Sequence, residues 1–225
     1  MERFAACEAT REGITLMQAG RPDEAHAMFR HALALLRQLI QTDTGTTLAP
    51  DKEHRSVVLQ RTQLKIPEDN NTTLSNGGCF EIYPYAFSIL FRETPDEFDY
   101  ALALATVLYN LALNEQVSST FYAKHSHTLR ALRYYSLARR VLDSVGPIRP
   151  STVDDSPLVT LALWNNEAHC RSSTLDWRAC QYCRDCLEAS FSRSLHVLLE
   201  ADRIFFQMAC LIGKTIHPEE VAPAA

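Results

Sequence analysis

The densest group of chemically reactive side chains in this sequence is a run of three cysteines. Cys180, Cys183 and Cys186 follow the spacing C-x2-C-x2-C, and His169 and Cys170 lie one predicted helix earlier. Thiolates and imidazoles are common zinc ligands, and thiolates also hold iron–sulfur clusters. The spacing is therefore compatible with a metal centre or with a redox-active thiol site.

Two features of the sequence argue against a metal in this run. Ser190 stands where a ferredoxin-type pattern would place its fourth cysteine. The segment also has the composition of one continuous helix, in which residues spaced by three do not converge on a single ion. We expect Cys183 and Cys186 to be buried packing residues without metal. A metal- or redox-active thiol protein centred on Cys180, Cys183 and Cys186 is the alternative hypothesis.

Other catalytic patterns do not occur in the sequence. It contains no G-x-S-x-G nucleophile elbow, no phosphate-binding loop of the Walker type and no H-E-x-x-H zinc motif. His125 and His127 fall in a predicted connection between helices, where exposed loop histidines are the ordinary expectation. The sequence therefore predicts neither an enzyme nor a bound cofactor.

Four other polar residues have the spacing and chemistry to bind a peptide backbone. Asn110 and Asn114 lie four residues apart in one predicted helix, and Asn165 and His169 lie four apart in another. A spacing of four places each pair on one face of its helix. An asparagine amide can both donate to and accept from a peptide group. Solvated positions or bonds between helices would explain the same residues, and both interpretations remain open.

Composition limits the class of protein. The chain has 225 residues, of which 46% are hydrophobic and 22% charged, as in ordinary globular proteins. Its seven glycines are few for an all-β protein, and its net charge of −5 disfavours nucleic-acid binding. No signal peptide and no apolar segment of membrane-spanning length is recognisable. We therefore expect a cytoplasmic or nuclear protein with reduced thiols and no membrane partner.

Helical periodicity dominates the chain outside one irregular stretch. Residues 3–41 predict two helices separated by a break at residues 20–24, and residues 42–94 predict an irregular insertion. Within the insertion, residues 56–65 fit either a strand or a short helix, and residues 79–91 suggest extended structure kinked at Pro84. Thr94 is a candidate N-cap for the next helix. Five further helices are predicted over 95–118, 127–145, 155–173, 175–190 and 192–212.

The first helix pair carries a spacing of small and aromatic residues, at Gly13, Leu16, Gly20, Ala25, Phe29 and Ala32. This pattern resembles the tetratricopeptide repeat (TPR), in which a small residue allows two helices to approach and a ring fills the adjacent gap. Looser copies occur at Tyr109 with Ala131, Tyr135 and Ala138, and at Trp164 with Ala179, Cys183 and Cys186. Tyr109 and Trp164 are 55 residues apart, so the units are irregular.

The TPR resemblance implies a mainly α fold, namely an irregular α-solenoid of helix pairs with a small extended insertion and a capping helix. It implies one domain over residues 1–225. Its parts would be helix pairs at 3–41, 95–145 and 155–190, the insertion at 42–94, the capping helix at 192–212 and a flexible tail at 213–225.

The same resemblance implies a function in protein–protein interaction. TPR-like proteins bind a peptide or partner segment in a concave groove, and here Asn110, Asn114, Asn165 and His169 would line that groove. The family's basic clamp for a C-terminal carboxylate is not reproduced, because Thr10 and Ile14 occupy the matching positions of the first unit. The identity of the partner stays open.

Overall fold

The structure is a computed structural model that describes residues 2–43, 57–66, 81–92, 95–122, 124–145 and 156–214. Within these ranges the chain is mainly helical and has one small two-stranded sheet. The elements are α1 (Glu2–Gln18), α2 (Pro22–Asp43), β1 (Val57–Gln63), β2 (Tyr85–Phe91), α3 (Glu97–Tyr122), α4 (His125–Ser144), α5 (Ser156–Ser173), α6 (Trp177–Ser194) and α7 (Glu200–Lys214). Among the described helices, none is both long enough and apolar enough to span a membrane.

The chain divides into two compact units. The first comprises Met1–Glu68 and Pro84–Val159, and the second comprises Asp69–Tyr83 and Thr160–Ala225. The insertion predicted at residues 42–94 therefore contributes to both units. The expectation of one TPR-like domain over the whole chain stays a prediction.

Helices α1 and α2 pack through the small and aromatic residues of the first predicted repeat. Ala25, Phe29 and Ala32 are fully buried. A Cβ atom added at Gly13 would lie 2.6 Å from the Phe29 ring, so only glycine allows this approach. Gly20 then closes α1 in the left-handed region, with φ 70°. The predicted contact between these two helices is confirmed.

Helix α3 begins at Glu97, two residues later than predicted, because a pair of aspartates forms its cap. The Asp99 N–H donates to Asp96 Oδ1 at 2.8 Å, and the Asp96 N–H donates to Asp99 Oδ2 at 3.2 Å. This reciprocal pairing is that of a capping box, and both carboxylates lie at the positive end of the helix. The predicted cap at Thr94 lies outside the described residues.

Helices α3 and α4 form the second predicted pair, and their spacing residues pack as expected. Ala131, Tyr135 and Ala138 are fully buried, and the Tyr109 and Tyr135 rings have centroids 6.0 Å apart. The connection between the helices is shorter than predicted, since α3 continues to Tyr122 and α4 begins at His125. Helix α3 is buried on all sides along much of its length, which makes it the central helix of the first unit.

The sheet resolves the ambiguous part of the insertion. β1 and β2 are antiparallel, with a register that runs from Val57 opposite Phe91 to Gln63 opposite Tyr85. The open choice for residues 56–65 is thus decided in favour of a strand. β2 begins directly after Pro84, whose carbonyl accepts a bond from the Leu64 N–H at 2.8 Å. Proline at the strand entrance costs no ladder donor.

The helices of the second unit begin later than the sequence predicted. The turn after α5 places Leu175 at φ 59°, and Asp176 then caps α6 by accepting a bond from the Ala179 N–H at 3.3 Å. Helix α6 runs to Ser194 and α7 begins only at Glu200, so the break predicted near residue 191 falls at 195–199. Helix α7 continues to Lys214, two residues beyond its predicted end. The rest of the predicted tail lies outside the described residues.

Candidate functional site

In the first unit, Asn110 binds the backbone of the chain itself. Its Oδ1 accepts a bond from the Phe87 N–H at 3.0 Å, and its Nδ2 donates to the Phe87 carbonyl at 2.7 Å. Asn110 is 0% exposed and Phe87 is 1% exposed. One helix side chain therefore satisfies both backbone groups of a buried strand residue, as a neighbouring strand would do.

In the second unit, Asn166 of α5 makes the same pair of backbone contacts, and its neighbour Asn165 adds a third. Asn166 Oδ1 accepts a bond from the Tyr83 N–H at 2.7 Å, and its Nδ2 lies 3.2 Å from the Tyr83 carbonyl. Asn165 donates from Nδ2 to the Glu81 carbonyl at 2.8 Å. The Tyr83 ring stacks on Phe206 of α7, with ring centroids 5.0 Å apart. This segment is thus fixed by α5 and α7 together.

Backbone contacts of this kind recur at alternate residues of the segment. In the first unit the Tyr109 hydroxyl donates to the Tyr85 carbonyl at 3.0 Å, which places Tyr85 and Phe87 in the same relation to α3. In the second unit the bound residues are Glu81 and Tyr83. Alternate backbone groups of an extended chain point to the same side. In each unit, the side chains of one helix therefore take the place of a strand ladder.

Two further residues of the predicted groove have separate roles. Asn114 donates from Nδ2 to the carbonyl of Pro22, the first residue of α2, at 2.9 Å. His169 keeps some accessible surface, yet burial of its ring lowers its pKa to about 4, so the imidazole is neutral near pH 7. Partner binding by Asn110, Asn114, Asn165 and His169 stays a prediction. In the structure, the three asparagine amides bind backbone carbonyls or N–H groups of this chain.

Sequence reasoning missed Asn166, the residue of α5 that holds both backbone groups of Tyr83. Asn110 follows Tyr109 as Asn165 follows Trp164, and this match between the two helices leaves out the residue after Asn165. The signal was present as two consecutive asparagines directly after the largely apolar run at 157–164. Buried amides require partners. Both residues are 0% exposed.

The second missed feature is a buried carboxylate that joins three helices of the first unit. His26 Nδ1 of α2 lies 3.0 Å from Glu115 Oε1, and His127 Nδ1 and Arg130 Nε of α4 lie 2.7 and 2.8 Å from Oε2. Burial raises the pKa of Glu115, but the hydrogen bonds from His26, Arg130 and His127 outweigh it and lower the pKa to about 2. The expectation that His127 is an exposed loop residue is therefore wrong.

The cysteine run lies in α6 and is largely enclosed. Cys180 and Cys183 are buried and Cys186 is half-buried, so the expected burial is confirmed fully only at Cys183. None of the six described cysteines is part of a disulfide, and burial raises the pKa of the Cys170 thiol. In the described part of the chain, no group of three histidine, cysteine or acidic side chains is arranged to hold a metal ion.

No protein-family model, no curated protein and no solved structure matches this chain. Its function is therefore inferred from its own residues and their geometry.

Proposed function

We propose that this chain is a non-enzymatic protein–protein interaction module, built on irregular TPR-like helix pairs, that binds a peptide or partner segment. The observation that supports this proposal best is the pairing of Asn110 with both backbone groups of Phe87. This contact fixes β2 in place through its backbone and not through a side chain.

The contact between Asn110 and Phe87 bears on binding because it holds the two-stranded sheet in place. A two-stranded sheet is marginally stable by itself in water. Here β2 is anchored by Asn110 and by the Tyr109 hydroxyl, and its Phe87 and Ile89 side chains are buried. The helices thus hold the two-stranded sheet in a preorganised arrangement. Preorganisation lowers the entropy that a binding partner must lose.

A partner could bind either in the predicted groove or on the two-stranded sheet formed by β1 and β2. A partner that used Asn110 would have to displace β2, whose Ala86 is 0% and Phe87 1% exposed. That exchange would expose core residues and leave buried amides unsatisfied. Binding on the outside of the two-stranded sheet neither exposes core residues nor leaves buried amides unsatisfied, so we favour that location.

Peptide display tests the proposal directly. The full chain is immobilised and panned against a library of random twelve-residue peptides, with serum albumin as the unrelated control protein. Enriched peptides are synthesised, and their affinities are measured by fluorescence anisotropy. We expect a peptide family with affinities in the micromolar range, common for transient interactions, that binds the chain and not albumin. Failure to enrich any family above the control would contradict the proposal.

The alternative, a metal- or redox-active thiol protein centred on Cys180, Cys183 and Cys186, has a separate test. Elemental analysis of the purified chain and a count of reduced thiols would show bound metal or oxidised pairs if it were correct. The burial of Cys180 and Cys183 in α6 is typical of packing residues and for that reason favours the interaction module.

A further inference from the structure

An exposed apolar corner lies where α3 ends and α4 begins. Phe121 and Tyr122 are the last residues of α3, Leu129 lies in the second turn of α4, and each of these three side chains is more than half exposed. The Tyr122 ring stacks on the ring of His127, with centroids 6.0 Å apart, so the end of α3 lies against the start of α4. Exposed apolar residues grouped in this way are typical of a surface that contacts another molecule. We call Phe121, Tyr122 and Leu129 the apolar corner.

The outward side of α4 continues from this corner as a basic ridge, formed by Arg133 and Arg140. Both arginines are exposed, and their positions, four and eleven residues after Leu129, place them on the same side of the helix. Neither is paired with a carboxylate in the part of the chain that the structure describes. Residues 116–142 contain five lysines and arginines and no aspartate or glutamate, in a chain of net charge −5. The ridge is therefore basic in an otherwise acidic chain.

Three of these five cations are exposed and carry the inference. Arg130 is bound to the buried Glu115 carboxylate, and Arg139 is half-buried, so both are left out. The two arginines of the basic ridge remain, together with Lys124 at the apolar corner itself. Lys124 Nζ lies 5.8 Å from the centroid of the Tyr122 ring. Three cations and three apolar side chains thus extend from the corner along the outward side of α4.

This surface is the outside of a helix and not a groove. Ala131, Tyr135 and Ala138 form the fully buried side of α4, and the basic ridge lies on the opposite side. An extended peptide is recognised in a groove or at a sheet edge. A convex ridge that starts at an apolar corner instead matches a flat surface, into which the corner inserts while the cations stay at the boundary with water.

We infer that the apolar corner and the basic ridge dock this chain on the surface of a lipid bilayer that contains anionic lipids. Aromatic side chains favour the interface between membrane and water, and clustered lysines and arginines bind anionic headgroups. Stable attachment takes two signals, and the α3–α4 pair supplies one that is apolar and one that is basic. Nucleic-acid phosphates would pair with the arginines but would leave Phe121 and Leu129 in water.

This surface contact does not depend on the proposed protein-binding function, and it needs no membrane-spanning helix. The expectation of no membrane partner followed from the absence of a spanning segment in the sequence, and docking by exposed side chains lies outside that reasoning. The anionic surface would attract this face of the chain and repel its acidic faces, which fixes the orientation of the bound chain.

Vesicle flotation tests the inference on the full chain. The chain is mixed with vesicles of phosphatidylcholine, either alone or with about 30% phosphatidylserine, at an ionic strength of about 0.1 M. We expect about ten-fold more chain, or a larger excess, to float with the phosphatidylserine vesicles. This binding should fall at about 0.5 M salt, because salt screens exposed charges. Failure of the chain to float with the anionic vesicles would overturn the inference.

A matched pair of double variants tests the basic ridge. Arg133→Gln with Arg140→Gln removes two exposed charges seven residues apart in α4, and it should weaken binding to the anionic vesicles about ten-fold or more. Arg30→Gln with Arg37→Gln removes two exposed charges at the same spacing in α2, where no large apolar side chain is exposed, and it should leave binding nearly unchanged. Equal weakening by both double variants would show that only overall charge matters, and it would overturn the inference.

A tryptophan in the apolar corner tests insertion. On addition of anionic vesicles, the emission of the Phe121→Trp variant should shift to shorter wavelength and be quenched by brominated lipid. Phe4→Trp, at an exposed position of α1, should show neither effect. The parent chain gives the background from its two native tryptophans. Vesicle binding without a shift in the Phe121→Trp variant would overturn docking through this corner.

A soluble acidic polymer separates a lipid surface from an acidic protein as the occupant. If polyglutamate binds the parent but not the Arg133→Gln, Arg140→Gln variant, and the parent does not float with vesicles, the occupant is an acidic protein and the inference is overturned. Flotation that depends on Arg133, Arg140 and Phe121 supports the inference. The proposed function is decided independently by peptide display.

Discussion

Asn110 and Phe87 are joined by two hydrogen bonds. The Asn110 amide oxygen accepts from the Phe87 N–H at 3.0 Å, and the amide nitrogen donates to the Phe87 carbonyl at 2.7 Å. Both residues are buried, so water cannot replace either bond. Separation of β2 from α3 would leave four polar groups unsatisfied in the core. This single side chain therefore joins β2 to α3, the central helix of the first unit.

Replacement of Asn110 by leucine should destabilise the chain by about 2–4 kcal/mol, because the Phe87 N–H and C=O lose both partners inside the core. Asn114→Ala removes one bond, to the Pro22 carbonyl, and should cost about 1 kcal/mol. Urea denaturation of both variants measures the difference. Equal stability of Asn110→Leu and the parent would show that this amide does not hold β2.

Asn165 and Asn166 form a matched pair for the second unit. Asn166→Ala removes both contacts to Tyr83 and the bond that its Oδ1 accepts from Asn165 Nδ2, whereas Asn165→Ala removes that shared bond and the contact to the Glu81 carbonyl. We expect the Asn166 variant to be less stable than the Asn165 variant by about 1 kcal/mol. Thermal unfolding followed by circular dichroism checks the order, and a reversed order would contradict the assignment of Asn166 as the main clamp.

Gly13→Ala should destabilise the first helix pair despite the better helix propensity of alanine. The new Cβ atom would lie 2.6 Å from the Phe29 ring, and that ring is 0% exposed and has no room to retreat. Overpacking of this kind costs about 1–3 kcal/mol, against about 1 kcal/mol gained from propensity. A double-mutant cycle with Phe29→Leu should show positive coupling. Additive effects would indicate that the two residues do not touch.

The Glu115 cluster predicts a specific loss of stability in acid. The pKa of Glu115 is about 2 in the folded chain against an ordinary 4.5, so the carboxylate form stabilises the fold. This contribution is complete above about pH 4.5 and is lost as the pH falls toward 2, for a total of about 3 kcal/mol. His26, His127 and Arg130 are the cationic or protonatable groups that face it.

Glu115→Gln should remove that part of the pH dependence. Urea denaturation at several pH values between about 5 and 2 should give a flatter stability curve for this variant than for the parent. Glu24→Gln is the control, because Glu24 forms an exposed pair with Arg21 and should leave the curve nearly unchanged. Parallel curves for parent and Glu115→Gln would contradict the role given to the buried carboxylate.

Thiol reactivity should follow burial in the described cysteines. Burial raises the pKa of the Cys7 and Cys170 thiols, which reduces their thiolate fraction. Cys186 is the least enclosed of the six and should react first with an aromatic disulfide reagent. Peptide mapping of the native chain after brief labelling locates the modified residue. Among the six described cysteines, early labelling should be confined to Cys186, and early labelling at Cys183 would contradict the packing described for α6.

The sequence by itself determined the helices and the way that some of them pair. Spacing of Gly13, Ala25 and Phe29 predicted the contact of α1 with α2, and Ala131 with Tyr135 predicted that of α4 with α3. These contacts arise from residues that recur at helical periods, so they are encoded locally. Helix ends were less well predicted, because a cap such as the Asp96–Asp99 pair depends on side-chain geometry that composition does not reveal.

Only the tertiary structure decided what the buried polar residues bind. Helical spacing drew attention to Asn110 and Asn165, but it could not show that the backbone groups they bind come from residues 81–87 of the same chain. Those contacts join residues up to 84 positions apart in sequence. Glu115 likewise finds His26 on one helix and His127 on another. Pairings at such separations are set by how whole elements pack, and no periodic pattern within one element records them.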